Sequence, residues 1–224
     1  MPVSIETQII KTMKISRFTM NPFGMNCYIL WSAPGGECIV IDPGMMMTSE
    51  EEMITSFIDS NNLTLKHILL THCHVDHACA ARWLATKYGV EVEAGEQEKM
   101  IAEQMPQQGA RFGLKIGSTP LTIDHILSEG DVIDFAGEEI HVLETPGHSP
   151  GSLSFYCPSS SVIFTGDVVF QSSIGRTDLL GGSYSVLINS IKTKVMTLPP
   201  DTVIAPGHGD TTTVADEKVY NPYL

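Results

Sequence analysis

The stretch THCHVDH, residues 71–77, places three histidines and one aspartate within six consecutive positions of a chain that has only 8 histidines in 224 residues. Crowded imidazoles add little to an apolar core, because each buried ring needs a hydrogen-bond partner. Neutral imidazoles and carboxylates are, however, ligands that zinc and similar divalent ions prefer. The types and spacing of these residues therefore predict a metal site.

Three more candidate ligands follow segments that we predict to be strands. His148 lies in TPGHSPG, Asp167 ends FTGD, and His208 lies in APGHG. Loops at strand ends can bring side chains from distant parts of a chain together on a rigid frame. With the cluster, these groups are too many for one tetrahedral ion, but they suit two ions about 3.5–4 Å apart with Asp167 as a bridge.

Other histidines and one cysteine have simpler interpretations. His67 lies within the predicted strand before the cluster, and His125 and His141 lie in no motif, so we interpret these three as structural. Cys73 separates two of the clustered histidines, and the alternation of side chains along an extended segment directs it away from the metal.

Three further polar residues near these motifs could assist the site. Asp42, in IDPG, is either a turn aspartate or an acceptor that orients a ligand histidine, and Thr71 could position a ligand similarly. Arg176, in GRTD, either contacts an anionic substrate or pairs with Asp178.

The elements that must position these residues alternate between strand-like and helix-like patterns. We predict strands over 26–31, 37–42, 65–70, 131–135, 139–145, 151–157, 161–167 and 202–209, and helices over 48–62, 76–89, 95–104 and 183–198.

Residues 107–120 are the least patterned segment and could form a mobile loop over the site. We treat 1–224 as one domain in which 1–12 form a loose N-terminal extension. The pattern alone indicates an α/β or α+β class.

Composition limits the partners. The chain has 13 Lys and Arg against 26 Asp and Glu, a formal charge of -13, which opposes binding to nucleic-acid backbones and anionic lipid. It has no secretory signal pattern and no apolar run long enough to span a membrane. The five cysteines include no C-x-x-C pair, which favours reduced thiols. We expect a cytoplasmic protein with a small-molecule substrate, no nucleic-acid partner and no membrane partner.

The motifs VIDPG, THCHVDH, TPGHSPGS, FTGD and APGHG together resemble, in order and approximate spacing, those of the metallo-β-lactamase superfamily. This resemblance covers nearly the whole chain, and it implies an αββα sandwich of two mixed sheets with helices on the outer faces. It also implies the ligands: the first metal is held by His72, His74 and His148, the second by Asp76, His77 and His208, and Asp167 bridges both.

Within the superfamily, true β-lactamases carry a cysteine where this chain has Asp167. THCHVDH with TGD resembles instead the glyoxalase II-type hydrolases, and SIGRTDL and NPYL resemble their short bacterial relatives. The resemblance implies a zinc-dependent hydrolase in which Asp76 and Asp167 orient the attacking water; iron or manganese would also suit these ligands. The motifs contain no separate general acid, which favours a thiolate leaving group and substrates such as S-lactoylglutathione. Full-length glyoxalase II continues into a glutathione-binding helical region beyond these motifs, so we expect a broad, weakly saturating enzyme here.

Three other functions use the same residues differently. A mononuclear iron persulfide dioxygenase, which GRTD also resembles, would hold its iron with His72, His148 and Asp167. Another metallo-hydrolase, such as a lactonase or a nuclease, is the second alternative, and the negative charge opposes the nuclease. The third is a non-catalytic metal-binding module. Structural zinc sites usually close with four protein ligands, so the larger ligand supply favours catalysis.

Overall fold

Two mixed β-sheets pack face to face in the computed structural model, which describes residues 5–10, 13–114, 116 and 119–224. The first sheet contains, in spatial and chain order, β1 (Ile5–Ile10), β2 (Met13–Met20), β3 (Met25–Trp31), β4 (Glu37–Ile41), β5 (Thr64–Leu69), β6 (Val92–Gly95) and β7 (His125–Leu127). Strands β1 to β4 pair antiparallel, and β4 to β7 pair parallel. The helices of this half are α1 (Thr48–Ser60), α2 (Val75–Ala78), α3 (Ala81–Tyr88), α4 (Lys99–Glu103) and α5 (Met105–Arg111).

The second sheet contains β8 (Val132–Phe135), β9 (Glu138–Glu144), β10 (Leu153–Cys157), β11 (Val162–Gly166), β14 (Val203–Pro206) and β15 (Thr212–Thr213), and a separate hairpin is formed by β12 (Val169–Phe170) and β13 (Ser173–Ile174). The spatial order of the second sheet is β15-β14-β11-β10-β9-β8, and β11 and β14 are its parallel pair. Two helices follow: α6 (Tyr184–Ser190), which continues as a π-helical segment (Ile191–Val195), and α7 (Val214–Tyr220). None of the helices in these described ranges is long and apolar enough to cross a bilayer.

The central core lies between the two sheets. Ile39 and Leu69 of the first sheet pack in one buried cluster with Phe155 and Phe164 of the second. A second cluster joins the opposite face of the first sheet to α1 and α3, and a third joins the second sheet to α6 and α7. Because both faces of the first sheet are covered, every residue of β3 is buried. These layers confirm the αββα sandwich that the motifs implied.

Four predicted segments differ in the structure. The helix predicted over 76–89 is divided into α2 and α3, because the backbone N–H of Ala80 donates to the Pro43 carbonyl of the loop after β4. The segment predicted as a loop over 107–120 begins inside α5, and its residues 115, 117 and 118 lie outside the described ranges.

The N-terminal segment predicted as a loose extension also differs. Residues Ile5–Ile10 form β1 and pair antiparallel with β2, so these six residues belong to the first sheet. Residues 1–4, 11 and 12 lie outside the described ranges. The predicted strand over 202–209 ends earlier, at Pro206, which leaves His208 in a loop.

Candidate metal centre

The predicted ligands converge at one edge of the sandwich. Strands β5, β9, β11 and β14 all end there, and each is followed by a loop that carries predicted ligands. The cluster of residues 72–77 follows β5, His148 follows β9, Asp167 follows β11, and His208 follows β14. The fold therefore brings seven side chains from four loops to one place.

The first group consists of His72, His74 and His148, which are all buried and each contribute a ring nitrogen to a set within 4.8 Å of one another. His74 Nδ1 lies 2.9 Å from His148 Nε2. His72 Nε2 is buried without a hydrogen-bond partner among the described residues. An unpaired buried nitrogen costs free energy, and a cation bound by three neutral imidazoles would remove that cost, so this group fits a metal ion.

The second group consists of Asp76, His77 and His208, whose ligand-type atoms also lie within 4.8 Å of one another. His77 Nε2 is 3.3 Å from His208 Nε2, and His208 Nε2 is 3.3 Å from Asp76 Oδ2. The Asp76 side chain is 18% exposed and that of His208 is 25% exposed, whereas His77 is fully buried. This group therefore combines a carboxylate with two imidazoles and is partly open to solvent.

Asp167 lies between the two groups. Its Oδ2 is 3.6 Å from His148 Nε2, and its Oδ1 is 3.3 Å from His77 Nε2 and 3.7 Å from His208 Nε2. Oδ1 is buried and has no hydrogen-bond partner within the described ranges. The two oxygens of one carboxylate thus face two different groups, which is the arrangement that a bridging ligand requires.

Four of the histidines use their other ring nitrogen to contact an oxygen outside the cluster. The pairs are His72 Nδ1 with Thr71 Oγ1 (3.1 Å), His77 Nδ1 with Asp42 Oδ2 (2.9 Å), His148 Nδ1 with the Arg176 carbonyl (2.8 Å) and His208 Nδ1 with the Phe23 carbonyl (3.2 Å). Such outer hydrogen bonds fix the tautomer, so that the inward nitrogen keeps its lone pair for a cation.

Asp42 is positioned to orient a ligand. Its Oδ1 accepts the backbone N–H of Thr71 at 2.7 Å, and its Oδ2 accepts the Thr71 hydroxyl at 2.6 Å as well as His77 Nδ1. Although Asp42 also lies within ligand distance of His72 and His77, these hydrogen bonds already occupy its oxygens. The Asp42 backbone adopts the left-handed conformation, with φ of 52°. For a residue other than glycine this conformation costs about 1–3 kcal/mol, and it persists only where the surrounding structure holds it in place.

The imidazoles of the first group resist protonation in the metal-free protein. Burial, reinforced by the neighbouring imidazoles, lowers the pKa of His72 well below its ordinary value. Burial and the adjacent His148 lower the pKa of His74 to about 3. Burial also lowers the pKa of His148. All three rings are therefore neutral at physiological pH, as metal ligation requires.

The second group behaves in the opposite way. Burial opposes protonation of His77, but the Asp167 and Asp76 carboxylates raise its pKa well above the ordinary value. His208 shows the same balance: burial opposes its protonation, but the hydrogen bond to Asp76 and the charges of Asp167 and Asp76 together raise its pKa. Although burial disfavours its ionised form, His77 above all holds the pKa of the Asp167 carboxyl far below its usual range. In the metal-free protein, protons on His77 and His208 therefore balance the negative charge of the Asp76 and Asp167 carboxylates.

Glu98 supports the first group, and the sequence does not indicate it. This fully buried carboxylate accepts the Cys73 backbone N–H on Oε2 at 2.7 Å. On Oε1 it accepts the Ser149 hydroxyl at 2.5 Å and the Gly151 backbone N–H at 2.9 Å. Burial raises its pKa. Glu98 thereby ties the loop of His72 and His74 to the loop of His148.

Glu50 plays a comparable part beside the second group. Buried at the start of α1, it accepts backbone N–H groups from Asn21 at 2.6 Å and from Met46 at 2.8 Å. The Asn21 side chain in turn donates to the carbonyls of Gly44 and Asp76, both at 2.9 Å. These hydrogen bonds hold the backbone that carries Asp76.

Two glycines let the backbone close around the cluster. A Cβ atom on Gly207 would overlap Asp167 Oδ1 and the ring of His77. A Cβ atom on Gly175 would overlap the backbone carbonyl of Asp167. Main chain therefore forms part of the wall around the cluster, where no side chain fits.

A cleft of about 270 Å³ opens onto the cluster. It is lined by Phe23, His74, Val75, Asp76, Ile101, Gln104, Gln108, Arg111, Phe112, His148, Asp167, Arg176, Leu179 and Leu180. The rings of Phe23 and Phe112 meet edge to face at 5.1 Å between centroids. Arg176 lies on the cleft, and its Nε and Nη2 each donate to Asp178 at 2.7 Å, which is the local pair that was one of its two interpretations; contact with an anionic substrate stays a prediction.

The remaining histidines stay outside the cluster. His67 Nδ1 contacts Glu93 at 2.6 Å, and His141 Nε2 contacts Glu139 at 3.2 Å. Neither of them, nor His125, belongs to a grouping of metal-ligand atoms among the described residues.

An αββα sandwich with a histidine and aspartate cluster at its strand ends defines a class of metallo-hydrolases. The chain belongs to the metallo-beta-lactamase superfamily, whose family model matches residues 20–208. This membership confirms the family that the motifs resemble.

Relatives of similar length support the same class. The chain is 39% identical over 213 residues to hydroxyacylglutathione hydrolase GloC of Haemophilus influenzae, covering 95% of this chain and 98% of the relative. Among solved structures, BLEG-1 B3 metallo-beta-lactamase is 34% identical, with a TM-score of 0.81 over 94% of this chain and 99% of that one. TTHA1623 in a di-iron-bound form is also 34% identical, with a TM-score of 0.80 over 92% of this chain and 98% of that one.

Proposed function

We propose that the chain is a dinuclear metal-dependent hydrolase that cleaves small thioesters such as S-lactoylglutathione. The observation that carries this proposal is the position of Asp167, whose two oxygens face two separate groups of ligand atoms. The relative from Haemophilus influenzae that is named a hydroxyacylglutathione hydrolase supports the thioester class.

In this proposal His72, His74 and His148 hold one ion, Asp76, His77 and His208 hold the other, and Asp167 contacts both. Zinc suits these ligands best, and the di-iron form of a relative supports iron as an alternative. When bound, the two ions supply Lewis acidity, which polarises a carbonyl and makes water more acidic.

Asp76 and Asp167 contribute the carboxylates that face the cleft. Each can accept a hydrogen bond from a water molecule and orient its oxygen toward an acyl carbon. The apolar side chains of Val75, Ile101 and Leu179 line the same cleft. The two carboxylates would therefore orient the nucleophile beside an apolar wall.

The leaving group distinguishes thioesters from amides. An amine must take up a proton to leave, whereas a thiolate leaves without one. The described residues that line the cleft include no lysine, tyrosine or glutamate, and the histidines and aspartates among them all belong to the predicted ligand set. This lining favours thioesters over the β-lactam amides that the name of one structural relative suggests.

The test combines metal analysis with two substrates. Elemental analysis of protein purified without added metal should give two ions per chain, and saturable binding of a single ion would contradict the dinuclear centre. The metal-loaded protein should release thiol from S-lactoylglutathione without oxygen. Oxygen uptake with glutathione persulfide in air, together with no thiol release from the thioester, would reverse the assignment in favour of the iron dioxygenase.

A further inference from the structure

The four arginines of the chain differ in their partners. Three of them pair with an aspartate: Arg17 with Asp210 at 3.5 Å, Arg82 with Asp124 at 2.7 Å, and Arg176 with Asp178 at 2.7 Å. Arg111 has no carboxylate and no hydrogen-bond acceptor within the described part of the chain, although acidic residues outnumber basic ones 26 to 13. The one arginine without a described partner is therefore a candidate for binding an external anion.

Arg111 is the last residue of α5, is exposed and lines the cleft of the metal centre. The same cleft is lined by Asp76 and Asp167, so one ligand can contact both the cluster and the guanidinium. Phe112 and Phe23 form part of the same lining, with their ring centroids 5.1 Å apart. A guanidinium binds a planar carboxylate through two parallel hydrogen bonds.

We propose that Arg111 forms a carboxylate-binding subsite in this cleft, which selects thioesters whose thiol carrier bears a carboxylate. The proposal rests on the proposed thioesterase function. The formal charge of -13 disfavours the approach of anions from a distance, so a local cation beside the centre would be needed to hold such a carrier. A cation at the end of α5 would also stabilise the helix dipole, but that role does not depend on the charge of the substrate.

The experiment compares two thioesters that differ only in charge. These are S-lactoylglutathione and the same compound with both glutathione carboxylates converted to primary amides. In R111Q, kcat/KM for the carboxylate substrate should fall about tenfold or more, mainly through KM, because a charged hydrogen-bonded pair is lost. For the amide substrate, kcat/KM in R111Q should change less than about twofold. R111K should recover part of the loss in kcat/KM for the carboxylate substrate. R82Q, which removes an arginine outside this cleft, is the matched control and should alter neither substrate. An equal effect of R111Q on both substrates, or none on either, would overturn the subsite.

A binding measurement separates the subsite from the proposed function. If the wild-type protein releases no thiol from either compound, the thioesterase proposal fails. Calorimetric titration of the metal-loaded protein with glutathione and with its diamide still tests Arg111. Weaker binding of glutathione alone in R111Q supports the subsite, whereas equal affinities of wild type and R111Q for glutathione contradict it.

Discussion

The two groups of predicted ligands differ in burial and in charge, although one residue, Asp167, faces both. The first group is buried, consists of imidazoles alone, and is neutral in the metal-free protein because burial lowers the pKa of each ring. The second group is partly exposed and contains a carboxylate, and its two histidines have raised pKa values. The first group is thus suited to a cation by desolvation and the second by charge balance, so the two should respond differently to the same perturbation.

The largest effect is expected from Asp167→Asn, which removes the residue that both groups share. Asparagine keeps the shape but loses the bridging charge, so thioester turnover and cation affinity should fall by more than the roughly 10–100-fold cost of losing an outer partner of a ligand. The unfolding temperature of the metal-free variant should stay within a few degrees of the wild type. Near-normal turnover in a folded variant would mean that Asp167 does not bridge.

Glu98→Gln and Glu50→Gln should separate the two groups. Each carboxylate accepts several N–H or O–H groups, and an amide can replace only one of its acceptor oxygens, which leaves a buried donor unpaired. E98Q should weaken the first cation by about tenfold, and E50Q should weaken the second by a similar factor. A two-site calorimetric titration in the presence of a competing chelator measures both. Equal weakening of both cations in both variants would show that the two carboxylates support only the fold.

The smallest effect expected is a difference in pH dependence. Burial lowers the pKa of the rings in the first group, so they carry fewer protons than ordinary histidines at pH 6–8. His77 and His208, whose pKa values are raised, must release protons before they bind a cation. Between pH 8 and pH 6, affinity at the second group should therefore fall by up to about tenfold per pH unit for each proton released, and affinity at the first group should fall less. Chelator-competition titrations at pH 6, 7 and 8 measure the slopes, and identical slopes would remove the distinction.

The sequence predicts the site better than the frame around it. THCHVDH indicates its chemistry directly, because ligand type and spacing are local properties. The loops of His148, Asp167 and His208 are also predictable, since each follows an apolar strand that ends at the same edge. Strand β2 was not predicted, although all its residues are buried or half-buried, because lysine and arginine interrupt its apolar pattern.

Glu98 shows why the rest could not be predicted. In the sequence it is an acidic residue at the start of a polar helix, which is usually exposed. Its burial depends on donors that lie 25 residues before it and 51 and 53 residues after it. Only the docking of three separate loops brings these groups together, and no local pattern encodes that docking.

The backbone wall at Gly175 and Gly207 has a consequence for how this protein can diversify. Any larger residue at either position would overlap Asp167 or His77, so a single substitution there displaces a residue of the cluster. The rim of the cleft, with the exposed side chains of Phe23, Phe112 and Leu180, has no such constraint. Changes in substrate preference during evolution should therefore accumulate at the rim, while the chemistry of the centre is inherited intact.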